Sequence, residues 1–196
     1  KNKDCILGEL CYVNQGIVSG ADKVTRGMLE NKISPEMIEK FDIDYGNGIF
    51  VLDREEALKL GFMGTSYLKP MYKNSDIQRY RVKKDNLKYI LYITDDTFSE
   101  SGMPDIKVLN HLGRYRSVLE KRRETLDGKR KWYTLQWPRR QEIFEDEKIV
   151  VPHRAKRNVF AFTGLPWNAS ADVYFIRMRN DLADIRFILA QLNSKI

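Results

Sequence analysis

The sequence predicts an α+β fold in which small sheets pack with one central helix and one C-terminal helix. Short apolar runs bounded by turn residues are interrupted by two amphipathic stretches, without the regular strand–helix alternation of a parallel α/β sheet. With 196 residues and 42% hydrophobic content, the chain is long enough to bury a core of its own. We divide it into a domain over residues 1–180 and an amphipathic helix over 181–196.

The first elements are indicated by glycine and proline positions. Gly16–Gly20 has a glycine at each end, which predicts a tight turn. Loop and short-helix signals follow over Asn31–Asp44, where Pro35 suits a first helical turn. The apolar run Ile49–Leu52 then predicts a buried strand.

A capping pattern predicts the next short helix. Asp53 and Glu56 have the spacing of a capping box, and Gly61 is placed to end the helix. Leu68–Tyr80 is interpreted as irregular or edge-like because it contains a proline, and Tyr89–Ile93 is predicted to be a core strand.

The central helix is predicted to run from Asp105 to about Leu126. Its apolar stripe, spaced by three and four residues, consists of Leu109, Leu112, Tyr115 or Arg116, and Leu119. A turn at Asp127-Gly128 and a strand over Lys131–Leu135 are predicted to follow.

The last third predicts three more strands and the C-terminal helix. The strands are Lys148–Val151, Val159–Phe162 and Val173–Ile176. The helix, Leu182–Leu192, is predicted to be capped by Asn180 or Asp181.

Positive charge is concentrated in one quarter of the chain. Lys107–Arg157 holds 15 basic and 7 acidic residues, a net charge of +8, within a total of +7. The other 19 basic and 20 acidic residues give −1. This asymmetry is typical of a nucleic-acid-binding face. A membrane surface is disfavoured because the cations do not accompany a long apolar helical stripe.

Several other protein classes are disfavoured. Two Cys, at Cys5 and Cys11, and two His without a Cys-x-x-Cys pair argue against a zinc site. The apolar runs are too short to span a bilayer, and a reducing cytoplasm is the expected location. The chain opens on Lys1 without an initiator Met, so we interpret it as part of a longer protein, with a processed terminus as the alternative.

The segment Leu119–Arg140 combines eight Lys or Arg and three acids with two Trp and one Tyr. Cations fixed in this way can bind phosphates, and Arg can also bind a guanine edge through two hydrogen bonds. We expect Trp132, Tyr133 and Trp137 mainly to pack, and the cations to face a polyanion. An ordinary basic surface is the alternative. A second basic cluster, His153–Asn158, lies in a loop between two strands, where binding residues are common.

A nuclease pattern can be assembled from Asp105 and Asp146–Lys148. Such chemistry requires both acids at the ends of adjacent strands, where they hold a metal ion. Asp105 is better placed as a helix cap, so we assign no catalytic residue. Phosphate-binding and dinucleotide-binding glycine motifs are absent from the sequence.

Five segments together resemble a known family. They are Val13–Lys23 with its Gly-Ile-x-x-Gly-x-Asp pattern; Leu68–Tyr80 with Leu-Lys-Pro, Asp-Ile and an aromatic; His111–Arg122; Trp132-Tyr133 through Pro138-Arg139 to Lys148–Pro152; and Leu189–Ser194. In this order they resemble the TaqI-like C-terminal specificity domain of adenine-N6 DNA methyltransferases, including type IIG restriction–modification enzymes. Val24-Thr25 departs from the family, which often has a Phe there, and Asn74-Ser75 leaves any phosphate contact in that stretch to Lys73.

The resemblance implies a mixed α/β target-recognition domain that binds duplex DNA for a methyltransferase domain preceding Lys1. S-adenosylmethionine would be the cofactor of that domain, and an endonuclease could accompany it. The catalytic Asn-Pro-Pro-Tyr tetrapeptide of the class is absent from this sequence, so this chain alone is not expected to methylate. Type I specificity subunits share the first and last motifs. They remain an alternative, as do a protein-docking module and an RNA-binding domain.

Thirteen residues are the candidate DNA contacts. Expected phosphate contacts are Lys121, Lys129, Arg130, Lys131 and Lys156. Expected base contacts come from some of Arg114, Arg116, Arg139, Arg140 and Arg154, and the motifs add Ser19, Lys73 and Arg79. No metal ligand is assigned.

Overall fold

The computed structural model describes residues 6–85, 87–98, 100–180 and 183–194. The chain forms two compact units, each assembled from separate segments. Unit 1 comprises Lys1–Ile17, Pro70–Leu87 and Arg139–Ile196, and unit 2 comprises Val18–Lys69 and Lys88–Pro138.

Short helices and short strands make up both units. The helices are α1 (Leu7–Leu10), α2 (Arg26–Asn31), α3 (Pro35–Phe41), α4 (Arg54–Lys59), α5 (Ile106–Gly113), α6 (Arg116–Leu119), α7 (Arg123–Leu126), α8 (Glu142–Glu145) and α9 (Ile185–Asn193). The strands are β1 (Cys11–Gln15), β2 (Val51–Leu52), β3 (Leu68–Tyr72), β4 (Lys88–Leu91), β5 (Lys148–Pro152), β6 (Ala161–Thr163), β7 (Asn168–Ala169) and β8 (Val173–Met178). The predicted α+β class is confirmed. No helix in the described part of the chain has both the length and the apolar content to cross a membrane.

Unit 1 is built on an antiparallel sheet in the order β1-β8-β5-β6. Cys11 lies opposite Met178, Ile149 opposite Ile176, and Lys148 opposite Thr163. The helix α9 covers one face of this sheet, because its apolar side chains join those of the strands. This core consists of Cys11, Ile149, Ile176, Ile185, Ile188 and Leu189.

A parallel pairing completes the strands of unit 1. Met71 and Tyr72 of β3 lie opposite Asn168 and Ala169 of β7. The buried hydroxyl of Tyr72 is 2.8 Å from the hydroxyl oxygen of Thr163 on β6. Burial raises the pKa of Tyr72 to about 12, because the charged phenolate would be poorly solvated there.

In unit 2, β2 pairs antiparallel with β4, and α4 follows β2 directly. The capping box predicted for α4 is confirmed: the Asp53 carboxylate accepts a hydrogen bond from the Glu56 N–H, and the Glu56 carboxylate accepts one from the Asp53 N–H. The predicted stop at Gly61 is confirmed by its φ of +70°, just beyond the C-terminal cap. Pro35 opens α3, as predicted.

The prediction of one continuous central helix was wrong. Asp105 caps its first part by accepting a hydrogen bond from the Lys107 N–H, as predicted, but the helical stretch is divided into α5, α6 and α7. The last break falls at Arg122, whose backbone is extended with a ψ of 142°. Leu112, Tyr115 and Leu119 of the predicted stripe are buried.

Two further sequence-based assignments were wrong. Lys131–Leu135 forms turns, with the Thr134 N–H donating to the Lys131 carbonyl, where a strand was predicted. The C-terminal helix begins later than predicted, because Asp184 is its cap; of the two predicted caps, Asp181 lies outside the described residues.

Candidate nucleic-acid interface

A row of two cations and two aromatic rings lies on unit 2. The Arg116 guanidinium carbon is 5.2 Å from the centroid of Trp132, and the Lys131 ammonium is 5.9 Å from that of Tyr133. The two rings contact each other edge to face at 5.5 Å. Both cations are exposed and both rings are half-buried, so the rings support charges that remain available to solvent. We call Arg116, Trp132, Tyr133 and Lys131 the cation–aromatic row.

Arg122 fixes the backbone behind this row. Its guanidinium donates to the carbonyl oxygens of Ser19 at 2.7 Å, Trp132 at 2.7 Å, and Thr134 and Leu119 at 2.9 and 3.0 Å. The side chain is 7% exposed and lies over the Phe50 ring. Burial lowers the pKa of Arg122 to about 10, which still leaves it charged at neutral pH. Arg122 is one of the cations of Leu119–Arg140 that were expected to face a polyanion, because its place in the basic run Lys121–Arg123 gave no sign of burial.

The first motif packs directly against Arg122. Gly20 has a φ of +83°, and a Cβ there would lie 2.7 Å from Arg122 Cδ and 2.5 Å from Gln136 Oε1. Ser19 is 3% exposed; its hydroxyl donates to Asp22 and accepts a 3.0 Å hydrogen bond from the Ala21 N–H. Glycine is therefore required at position 20 for two reasons: the backbone has a positive φ, and there is no room for a Cβ.

The other predicted cations of unit 2 differ in their partners. Arg130 pairs with Asp95, and Lys129 lies 3.2 Å from Asp127. Arg114 lies over the Phe41 ring at 5.5 Å, and Lys121 is exposed, with no ion pair to any described residue. Arg116 is paired with Glu120 at 2.6 Å, but both side chains are about half exposed, so solvent weakens the pair.

In unit 1, Arg139 and Arg140 occupy different environments. Arg139 has a φ of +67°, and its Nε donates to the Gly16 carbonyl at 3.1 Å, next to the end of β1. The Arg140 side chain is exposed. Gly16 also donates to the Val173 carbonyl at 2.9 Å, so this first-motif glycine joins β1 to β8.

Three predicted contacts of unit 1 lie in loops. Arg154 and Lys156 are exposed in the β5–β6 loop, and neither forms an ion pair within the described ranges. Lys73 precedes a single 3-10 turn, where its N–H donates to the Asp76 carboxylate at 2.7 Å.

Arg79 is attached to the end of the C-terminal helix. Its guanidinium donates to the Asn193 carbonyl and lies 5.3 Å from the Tyr80 ring centroid. The Asn193 side chain in turn donates to the Phe160 carbonyl at 2.9 Å and accepts from the Phe160 N–H at 3.1 Å. The Asn of the last family motif therefore joins α9 to the strand region before β6.

The residues of the nuclease pattern have structural roles. Asp105 caps α5 and accepts a 2.6 Å hydrogen bond from the Tyr67 hydroxyl. The fully buried Lys148 donates to three carbonyl oxygens, those of Phe144, Asp146 and Leu165, at 2.7 to 2.9 Å. Over the residues that the structure describes, no group of three His, Cys, Asp or Glu side chains could hold a metal ion.

Comparison with known proteins identifies a sequence family and a shared fold. Residues 69–196 match the TaqI-like C-terminal specificity domain. A solved structure of the type IIL restriction–modification enzyme MmeI in complex with DNA superposes with a TM-score of 0.57 and 14% identity. That match covers 98% of this chain and 22% of the MmeI chain. No match was found among curated proteins.

Proposed function

Because the chain belongs to the TaqI-like C-terminal specificity domain family, we propose that it is a target-recognition domain that binds a specific sequence in double-stranded DNA. Methyl transfer would be carried out by an upstream adenine-N6 methyltransferase domain that uses S-adenosylmethionine. The chain itself would supply binding and no catalytic group. We place it in a type II restriction–modification enzyme acting in the cytoplasm.

The cation–aromatic row is the observation that best supports this proposal. Arg116 and Lys131 are held by ring faces and not by buried carboxylates, so a phosphate oxygen can approach them without displacing a strong partner. The exposed Glu120 is the only carboxylate paired with either cation among the described residues, and exposed pairs contribute little.

We assign the predicted contacts to three roles. Lys121, Lys129, Arg130, Lys131 and Lys156 would contact phosphates, with Lys73 as a further candidate. Arg114, Arg116, Arg140 and Arg154 would supply base or backbone contacts in the grooves. The remaining three, Ser19, Arg79 and Arg139, already bond within the chain, so any effect on DNA would act through the loops that they hold.

The salt dependence of binding tests the proposal. In fluorescence anisotropy with the full-length protein and labelled random-sequence duplex, six phosphate contacts would give a slope of about −5 for log affinity against log salt. A slope near zero, or no binding to duplex DNA, would contradict it.

A matched pair of variants tests the row itself. Arg116 and Arg123 are exposed arginines that each face a carboxylate four residues later, Glu120 and Asp127, but only Arg116 lies over Trp132. We expect Arg116→Ala to weaken DNA binding at least fivefold, and Arg123→Ala to change it less than twofold. Equal effects would show that the row has no special role.

A further inference from the structure

We propose that a hairpin of unit 1, residues Ile77–Val82, is a second DNA-contacting element that presents the Tyr80 ring to a groove of the duplex. We call it the Tyr80 hairpin. This inference rests on the proposed function. It gives a role to Tyr80, which the family motif includes only as an aromatic, and to Arg81, Lys83 and Lys84, which lie outside the basic stretch 107–157.

The hairpin is closed by backbone hydrogen bonds on both sides of its tip. Ile77 and Val82 form a β-bridge. The Gln78 N–H donates to the Arg81 carbonyl at 2.9 Å, and the Arg81 N–H donates to the Gln78 carbonyl at 3.3 Å. Arg79 and Tyr80 are therefore the two central residues of a tight turn.

Tyr80 is an unexpected residue at its position. Its φ is +72°, the left-handed region that Gly or Asn occupies in the second central position of such turns. A bulky side chain is disfavoured there, and the ring is nevertheless 49% exposed, so it gains little from burial. An exposed ring kept in a strained backbone position suggests a contact made outside the chain.

The position of the ring is fixed by its neighbours. The Tyr80 N–H donates to the Phe160 carbonyl at 2.8 Å, and Tyr80 forms a parallel bridge with Ala161 at the start of β6. The Arg79 guanidinium lies over the ring while it donates to the Asn193 carbonyl. The ring is thus presented by a strand and a helix end, so little conformational entropy would be lost when it binds.

The segment that carries this ring, and the loop that precedes its hydrogen-bond partner Phe160, are rich in cations. Residues 79–84 contain four basic residues and no acid, and the loop 153–158, which leads into the Phe160 region, contains three basic residues and no acid. The exposed members are Arg79, Arg81, Lys83, Lys84, Arg154, Lys156 and Arg157. None of them forms an ion pair with another residue that the structure describes. Except for Arg79, whose guanidinium is bound to the Asn193 carbonyl, each can therefore pair with phosphate.

These features fit a duplex groove. Cations that flank a protruding ring can bind the phosphates on either side of a groove, while the ring contacts sugars or inserts against a base step. A single-stranded ligand is the competing possibility, because free bases stack on exposed rings.

Replacing Tyr80 with Gly separates a binding role from a folding role. Glycine adopts a φ of +72° without strain, so we expect the unfolding midpoint of Tyr80→Gly in urea to stay the same or rise. The same variant of the full-length protein should bind random-sequence duplex at least fivefold more weakly, because the groove contact of the ring is lost. A parallel loss of stability and binding, or unchanged binding, would overturn the inference.

A charge pair provides the second measurement. Arg81→Ala/Lys83→Ala should reduce the magnitude of the salt slope by about two, because each lost phosphate contact removes about 0.9. The control Arg54→Ala/Lys59→Ala removes the same charge from α4 and should leave the slope unchanged. If both double variants behave alike, the hairpin makes no phosphate contact.

The outcomes distinguish this inference from the proposed function. A wild-type protein that does not bind duplex DNA contradicts the proposed function itself. Duplex binding that is unaffected in both hairpin variants contradicts only the Tyr80 hairpin. Tighter binding of single-stranded DNA, lost in Tyr80→Gly, would overturn the assignment to a duplex groove.

Discussion

The Arg122 side chain organises unit 2 through hydrogen bonds to four carbonyl groups, three of which lie ten or more residues away in sequence. A guanidinium has five N–H donors in a fixed plane, which suits a site where the Ser19 loop, the end of α6 and the Trp132–Thr134 turns meet. The lysine ammonium has three donors on a flexible stem and cannot reproduce this geometry.

We therefore expect Arg122→Lys to lower the free energy of unfolding by about 3 kcal/mol, because buried carbonyls would lose their partners. Urea denaturation followed by tryptophan fluorescence measures this change. Arg123→Lys is the matched control, since Arg123 is the next residue and its side chain is 82% exposed. A difference under about 1 kcal/mol between the two variants would refute the role of Arg122.

His111 is the other buried residue with a testable consequence. It is 3% exposed, and its Nε2 donates to the Ile49 carbonyl at 2.9 Å while the ring packs edge to face with Phe62 and Tyr115. Burial is the main reason why its pKa falls to about 4, and the nearby positive charge of Arg114 acts in the same direction. The folded protein thus holds this histidine neutral.

Because the pKa of His111 is about 6.5 when unfolded and about 4 when folded, the unfolded chain binds more protons between these values. Stability should fall as pH is lowered from about 6.5 to 4, by up to about 3 kcal/mol from this residue. In His111→Gln that pH dependence should be reduced, whereas His153→Gln, which alters the exposed histidine, should keep it. Denaturation curves across this pH range provide the measurement.

Among the elements, the prediction of a tight turn over Gly16–Gly20 was wrong, because Ile17 and Val18 form β-bridges with Ser170 and Trp137 and the chain bends at Gly20. The glycines marked this segment as unusual in sequence, but they did not indicate that a Cβ at Gly20 would meet the Arg122 stem. The hydrogen bonds of that guanidinium prevent the stem from moving aside.

Two glycine variants separate backbone strain from packing. Gly46 has a φ of +89° and open space around it, so Gly46→Ala should cost only the conformational term, about 1 kcal/mol. Gly20→Ala adds the close contacts with Arg122 and Gln136, and should cost about 2 kcal/mol more. Equal losses in thermal or urea denaturation would show that Gly20 is needed for its backbone conformation alone.

Elements set by local signals could be predicted from the sequence. The capping box at Asp53 and the helix start at Asp105 depend on residues two or three positions apart, and both were confirmed. The Lys131–Leu135 strand failed because the carbonyls of Trp132 and Thr134, which a β-ladder would use, are bound by Arg122. Such a partner ten or more residues away leaves no periodic pattern in the strand itself.

At the scale of the whole molecule, the charge is divided differently from its distribution along the sequence. Unit 1 carries 17 basic and 11 acidic residues, a net charge of +6, and unit 2 carries 17 basic and 16 acidic residues, a net charge of +1. The basic stretch 107–157 is shared by both units, and residues 70–87 add to the charge of unit 1. The sequence could show that an excess exists, but not this division, because chain order does not determine which segments pack together.

The β5–β6 loop allows a test at this scale. Replacing Arg154, Lys156 and Arg157 with Ala removes three charges from unit 1, and should lower the magnitude of the salt slope by up to about three. Replacing Lys32, Arg54 and Lys59 with Ala removes three charges from unit 2 and should shift affinity only slightly. Anisotropy titrations of both triple variants at several salt concentrations give the two salt slopes. They show whether the loss depends on where the charges lie or only on how many are removed.

The backbone passes between the two units four times, after Ile17, Lys69, Leu87 and Pro138. A single recombination crossover between two related genes would therefore leave at least one unit as a mosaic of both parents, unless the crossover lies close to a chain end. Intact transfer of unit 2 to another scaffold would require simultaneous exchange of Val18–Lys69 and Lys88–Pro138. Inheritance of one half of the gene is thus expected to give chimaeras with mismatched cores more often than new functional hybrids.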